Sequence, residues 1–268
     1  MNISDIFAPI TLEEFKAKIF GRTSLAITRK TNPFATILTL EEIEQRLNDG
    51  CATLTNLSII GENGAKMPFE STYRNGQQIY WSPFAMKKDF VLDKLLHHHS
   101  FVMHNMTQIN IGIAEMADSI ENAFPDFHTD LHIYVSPRPT ATAYNVHRDS
   151  PQHKIYLQLI GTTNWTIYKG KAEAVSMTVA EAEKNLEVDF RTELTPGSVI
   201  YMPPETYHYV TNGNGPRVSL SFPFIHDPTR TRMDRRHIPF KNIFEAHQPE
   251  MKKIHLGISR TAPPAANP

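Results

Sequence analysis

Two short pieces decide how this chain folds: Asn145-Val146-His147-Arg148-Asp149 and, about sixty residues on, Pro203-Pro204-Glu205-Thr206-Tyr207-His208-Tyr209-Val210. On an extended segment the side chains at i and i+2 point to the same face, so His147 and Asp149 can reach one point in space. His208 lies on a second strand-like run and can supply a third group. Two imidazoles and one carboxylate on one face of an octahedral ion leave three positions open, the donor set of non-haem Fe(II) sites.

The surroundings of His208 strengthen a motif that would be weak alone. Thr195-Pro196-Gly197-Ser198-Val199-Ile200-Tyr201-Met202-Pro203 reads as a turn, an apolar strand and a Pro-Pro break. Asn212-Gly213-Asn214-Gly215 reads as the next turn. The following strand, Arg217-Val218-Ser219-Leu220-Ser221-Phe222, opens on a cation nine positions past His208.

H-x-D, then P-G-S-x-x-x-x-P-x-x-x-x-H, then R-x-S resembles the Fe(II)/2-oxoglutarate-dependent oxygenase superfamily, and within it the JmjC and cupin-like hydroxylases. Gly161-Thr162-Thr163-Asn164-Trp165-Thr166-Ile167-Tyr168 is similar to that branch's G-x-K/R-x-W segment, and Thr11–Leu25 to its N-terminal helix and strand. The resemblance spans about residues 10 to 225, with specific motifs only from about 144 to 222. It implies a mainly β chain with flanking helices (α+β) on a double-stranded β-helix (cupin, jelly-roll) core. It implies His147, Asp149 and His208 as metal ligands and catalytic centre, with Fe(II), 2-oxoglutarate as cosubstrate and O2 as cofactors. Where the family carries a basic residue for the cosubstrate's C5 carboxylate, this chain has Thr163. Arg217, with Ser219 beside it, matches the R-x-S arrangement of other branches and can supply that charge. Tyr144, Tyr156 and Asn164 are candidates for lining the same pocket, and His132 with Tyr134 for bordering the substrate. Because Asp149 fills the position a halide would need, hydroxylation is expected rather than chlorination.

The 268 residues suit one domain with decorations: an N-terminal helix-and-strand region over 1–125, a catalytic core over 126–226 and a C-terminal extension over 227–268. A hydrophobic fraction of 40% supplies an ordinary core, and a formal charge of −1 offers no field for nucleic acid or an anionic membrane. Cys51 is the only cysteine, which excludes an internal disulfide and favours a reducing compartment. With no apolar run of membrane-spanning length and no signal-peptide pattern at Met1–Asp5, the expectation is a cytoplasmic protein.

Capping boxes at Thr11 and Thr39 predict two short helices, with a strand over Ser24–Thr28 between them and another over Ala52–Ile60. Residues 61–90 read as a long irregular loop. A helix from about Ile109 to Phe124 carries an apolar stripe, and a third capping box predicts Thr178–Asn185. Eight short strands are expected: Leu131–Ser136, Thr142–His147, Lys154–Ile160, Trp165–Lys169, Val188–Leu194, Ser198–Met202, Tyr207–Thr211 and Arg217–Phe224. The run His97-His98-His99 with His104 lacks a carboxylate at ligand spacing and is read as structural. Arg230, Arg232, Arg235 and Arg236 are read as a solvated basic face, and Thr261–Pro268 as disordered.

On sequence alone the favoured function is hydroxylation of a small molecule such as an amino acid or natural-product intermediate. A JmjC-type hydroxylase of protein or peptide side chains stands as the alternative, beside a metal-binding cupin that does not use 2-oxoglutarate and a non-catalytic barrel. A homodimer is the base-rate expectation for assembly.

Overall fold

A computed structural model describes residues 2–48, 56–61, 65–67, 73–75, 84–97, 99–137, 144–236 and 238–246. It divides into two compact units, Met1–Arg235 and Arg236–Pro268. In the second, residues 240–246 are helical, with Phe240 packed on Phe244. Thr261–Pro268 lies outside the described residues.

Two antiparallel sheets carry the fold. In spatial order the larger one contains β1 (Leu25–Ile27), β13 (Val199–Met202), β9 (His153–Ile160), β15 (Arg217–His226), β7 (His132–Ser136), β5 (Ser100–Met103) and β2 (Leu57–Ile60), with β6 (Phe127–Thr129) paired to β15. The smaller one runs β11 (Ser176–Met177), β8 (Val146–Arg148), β14 (Tyr207–Asn212), β10 (Thr163–Lys169) and β12 (Glu187–Leu194). This is the expected double-stranded β-helix. All eight strands foreseen from the sequence are present within a few residues of their expected limits; residues 142 and 143 of one lie outside the described residues.

Side-chain parity explains why the central strands do not alternate in burial. In β9, Ile155, Leu157 and Leu159 pack outward into the large core, while Tyr156 joins Trp165, Ile167, Leu194, Ile200 and Met202 between the sheets. Both faces are therefore covered, and His153 through Leu159 are all buried. The same parity sends Val218, Leu220, Phe222 and Phe224 of β15 outward and leaves Arg217, Ser219 and Ser221 facing inward.

Helices close the outer face of the large sheet. The first two, α1 (Ile3–Phe7) and α2 (Leu12–Lys18), are capped by Asn2 and Thr11. Phe7 stacks on Phe15 at 3.8 Å, and Phe15 meets Tyr201 edge-on at 4.8 Å. The others on this side are α3 (Leu40–Asn48), α4 (Lys88–Leu96) and α5 (Ile111–Ala123), whereas α6 (Val179–Asn185) packs its Ala182 with Val146, Tyr168 and Tyr207 of the small sheet. Of these, α5 buries the stripe Ile113, Met116, Ala117 and Ile120.

Two expectations need correction. The stretch expected to be an irregular loop contains paired strands, β3 (Tyr73–Asn75) with β4 (Phe84–Met86), and α4 begins within it. That helix escaped notice because Lys87 at its N-cap makes no side-chain capping bond and Leu92 and Leu96 lie exposed, which blurs its stripe. The basic cluster is not a uniformly solvated face. Arg235 is buried and forks onto Glu121 at 2.9 and 3.0 Å, onto Asp118 at 2.9 Å and onto the Thr129 carbonyl at 3.1 Å. Arg232 donates to the Glu121 carbonyl and to Asn122.

Candidate metal centre and cosubstrate pocket

Pairing of β8 with β14 sets His147 directly opposite His208. Their rings lie 4.3 Å apart, and Asp149, just past the end of β8, turns its Oδ2 to within 3.9 Å of His147 Nε2 and 3.6 Å of His208 Nε2. One donor atom from each residue lies within 4.8 Å of the others, and this is the only such cluster of three among the described residues. The loop bearing Asp149 is tied down by the Glu205 N–H, which donates to the Asp149 carbonyl at 2.9 Å. Glu205 itself adopts a left-handed φ of 65° just before β14 begins, and its carboxylate pairs with Arg148.

Hydrogen bonds fix the imidazole tautomers. His147 Nδ1 lies 2.8 Å from the Asn145 carbonyl and His208 Nδ1 3.0 Å from the Thr206 carbonyl. A carbonyl accepts only, so each Nδ1 carries the proton and each Nε2 presents a lone pair toward Asp149. Burial pushes both histidines below the usual imidazole range. Two neutral imidazoles and an ionised carboxylate, with ring orientations set by carbonyl partners, suit a divalent transition metal.

Beside the cluster is a cavity lined by Tyr134, Tyr144, His147, Tyr156, Trp165, His208, Val210 and Arg217. Arg217 is 4% exposed; its Nε donates to Ser136 Oγ at 3.3 Å and its Nη1 to Ser219 Oγ at 3.4 Å. No carboxylate among the described residues pairs with it. Burial pulls its pKa down to about 10, so the guanidinium stays charged at neutral pH. A buried cation whose partners among the described residues are hydroxyls is a receptor for an anion.

The structure also shows what stands in the place of the absent basic residue. Thr163 is fully buried, donates to Gln158 Oε1 at 3.0 Å and accepts from Trp165 Nε1 at 2.9 Å. Ser219 donates to the same Gln158 oxygen at 2.9 Å, and the Gln158 amide donates to the Ile160 and Gly161 carbonyls. Thr163, Gln158 and Ser219 thus form a closed polar bridge from β10 to β15, and the cation beside it comes from Arg217.

Of the residues singled out in the sequence, His147, Asp149, His208, Arg217, Tyr144 and Tyr156 converge on this one place, and Ser219 buttresses Arg217. Asn164 does not belong there. It is exposed, because Thr163, Trp165 and Ile167 take the inward parity of β10. Tyr134 lines the cavity, whereas His132 turns to Asp130 at 3.2 Å and meets His104 edge-on at 4.6 Å. His97 and His99 bond to backbone carbonyls through Nδ1, and His98 lies outside the described residues. Sequence reasoning missed Lys154 and Gln158, two polar residues at inward positions of a strand whose other members are apolar or aromatic. That break in the pattern was the available signal.

Comparison with known proteins agrees with this geometry. Residues 100–232 match the JmjC domain family. Two structures of YcfD, a ribosomal oxygenase from Escherichia coli, are similar in fold at 15% identity, with TM-scores of 0.52 and 0.50. They cover 97% and 96% of this chain, which in turn spans 61% of their length. A third structure, of the same enzyme with cobalt and 2-oxoglutarate, matches at 14% identity over 96% of this chain and 61% of that one, with a TM-score of 0.48. No curated protein matches the chain. With its ligand-like cluster, its inward-facing arginine and its two antiparallel sheets, the stretch over residues 100–232 is a JmjC domain on a double-stranded β-helix fold.

Proposed function

We propose that this protein is an Fe(II)/2-oxoglutarate-dependent oxygenase acting as a hydroxylase. The observation that carries the reading is the placement of Arg217, a buried cation without a carboxylate partner, in the same cavity as His147 and His208. In this reading His147 Nε2, His208 Nε2 and Asp149 hold the metal, and Arg217 with Ser219 holds the far carboxylate of the cosubstrate. When bound, iron and 2-oxoglutarate together supply O2 activation coupled to oxidative decarboxylation of the cosubstrate to succinate.

The chain's own residues orient and enclose that chemistry. The carbonyls of Asn145 and Thr206 hold the imidazole planes. Trp165 lies nearly parallel to His208 at 5.9 Å, and Tyr134 and Tyr156 line the same cavity. Burial raises the pKa of Tyr144 and Tyr134, so both hydroxyls stay neutral donors at the cavity.

The substrate is a side chain of a protein or peptide, in place of the small molecule favoured on sequence alone. Its support is the likeness in fold to a ribosomal oxygenase and the JmjC domain over residues 100–232. A cupin that does not use 2-oxoglutarate loses ground, because its main warrant was the basic residue missing at Thr163, and Arg217 supplies a cation in the same cavity.

Two measurements test the reading. Anaerobic Fe(II) titration with and without 2-oxoglutarate should give a visible charge-transfer band that is lost in His208→Ala; bound iron with no such band would refute the cosubstrate assignment. Succinate release should be stimulated by a peptide or protein fraction and not by free amino acids. The opposite pattern would return the substrate to a small molecule.

A further inference from the structure

Lys154 is 4% exposed, and its ammonium lies 2.6 Å from Asp149 Oδ2. That oxygen is also the one facing both imidazoles, at 3.9 Å from His147 Nε2 and 3.6 Å from His208 Nε2. Arg148, next to Asp149 in sequence, is committed to Glu205, and Arg217 bonds to Ser136 and Ser219. Lys154 is therefore the counter-ion of Asp149, seated on the inward face of β9 next to Tyr156, whose ring its Nζ approaches at 5.9 Å. A lysine in this position is conspicuous, since buried lysines persist only where a countercharge meets them.

We infer that Lys154 is a positioning residue that competes with the metal for Asp149 Oδ2 and holds the site at weak, exchangeable metal affinity. The inference rests on the reading that His147, Asp149 and His208 hold a divalent metal. Two electrostatic effects act in the same direction. In the metal-free protein the ammonium neutralises a buried carboxylate that, among the described residues, pairs with no other lysine or arginine, so the empty state is stabilised. In the metal-bound protein a positive charge remains against the oxygen shared with a dication, so the bound state is disfavoured. Lys154 also holds the carboxylate in one rotamer with Oδ2 aimed between the histidines, the orienting role of partners that stand behind metal ligands. Its effect on affinity is thus opposite to that of an ordinary outer partner, which strengthens binding.

The test is Mn(II) binding to the metal-stripped full chain, followed by electron paramagnetic resonance, in wild type, Lys154→Met and Lys154→Gln. Methionine removes the charge and keeps the apolar stem; glutamine removes the charge and keeps a donor for Asp149. Both variants should bind Mn(II) about tenfold more tightly than wild type or better, on the scale of outer-partner effects. Both should also melt lower without metal, with a larger rise in Tm on adding Mn(II). A merely structural lysine would lower the melting temperature and leave or weaken Mn(II) affinity. Affinity unchanged or weaker in both variants overturns the inference while the metal reading stands. A wild-type chain that binds no Mn(II), with His147→Ala behaving identically, overturns the metal reading itself.

Discussion

His147 and His208 are register partners across a single antiparallel pair, with rings 4.3 Å apart, although 61 positions separate them in sequence. Their distance is therefore fixed by backbone hydrogen bonding between β8 and β14 and not by loop packing. Either imidazole can be removed without disturbing the strand that carries the other. His147→Ala and His208→Ala should each fold with a Tm close to wild type and lose divalent-metal binding by about a hundredfold or more, in keeping with the loss of a direct ligand. Calorimetric titration with Mn(II) beside a thermal melt checks both halves.

Arg217→Met should separate cosubstrate from metal. The 2-oxoglutarate Kd should rise by about a hundredfold, from a loss of some 2–5 kcal/mol for one half of a buried charge pair. Mn(II) affinity in the absence of cosubstrate should be unchanged, because among the described residues the Arg217 guanidinium bonds to Ser136 and Ser219 and not to a metal ligand. A loss confined to metal binding would remove Arg217 from the cosubstrate site.

Asn164→Ala provides the matching control. Its side chain is exposed on the far face of β10, so 2-oxoglutarate affinity and turnover should stay within about twofold of wild type, as for an ordinary surface change. A large fall in affinity would place Asn164 back in the pocket.

Stability should fall on mild acidification because of His153. This ring stacks on Phe20 at 4.5 Å, and its Nδ1 accepts from the Tyr201 hydroxyl at 2.9 Å, which in turn accepts from the Gly21 N–H. Burial lowers its pKa from 6.5 to about 4. The unfolded chain thus takes up a proton that the folded one refuses between pH 6.5 and 4, so the stabilisation is complete above that window and lost as pH falls through it. Between pH 7.5 and 5 the loss from this residue is on the order of 2 kcal/mol. His104, lowered to about 4 by burial, adds in the same sense. Urea unfolding at the two pH values should show a smaller difference for His153→Gln than for wild type; an identical difference would exonerate the residue.

Gly161 has a left-handed φ of 68°, and a Cβ there would collide with the Pro216 carbonyl oxygen. Gly161→Ala should cost about 2 kcal/mol or more through strain and backbone displacement. Since Pro216 precedes Arg217, 2-oxoglutarate affinity should weaken as well, which parallel unfolding and binding measurements would reveal.

Much of this was legible in the chain because the decisive signals are local. His147-x-Asp149 states its own geometry on an extended segment. The turns at Pro196-Gly197 and Asn212-Gly213 bracket His208, and Arg217 sits at the head of its strand with the parity that brings it inward. Thr163 was visible as a departure, but that Gln158 and Ser219 complete its bonding is a relation among three strands that no single stretch encodes. Asn164 was misplaced although Trp165 and Ile167 already fixed the parity of β10. Lys154 was passed over because a charged residue in an apolar strand reads as an edge until the partner of its charge is known. The helix Lys88–Leu96 was missed for want of a capping side chain and a clean stripe.

The fork made by Arg235 has a consequence for where the gene can be cut. Glu121 is 2% exposed and takes two of its bonds from that guanidinium, at 2.9 and 3.0 Å. A stop codon placed one residue earlier, after Asp234, would strand a carboxylate inside the protein, whereas one placed after Arg235 keeps the pair intact. A version shortened from the C-terminal side should therefore keep residue 235, the last of the first compact unit.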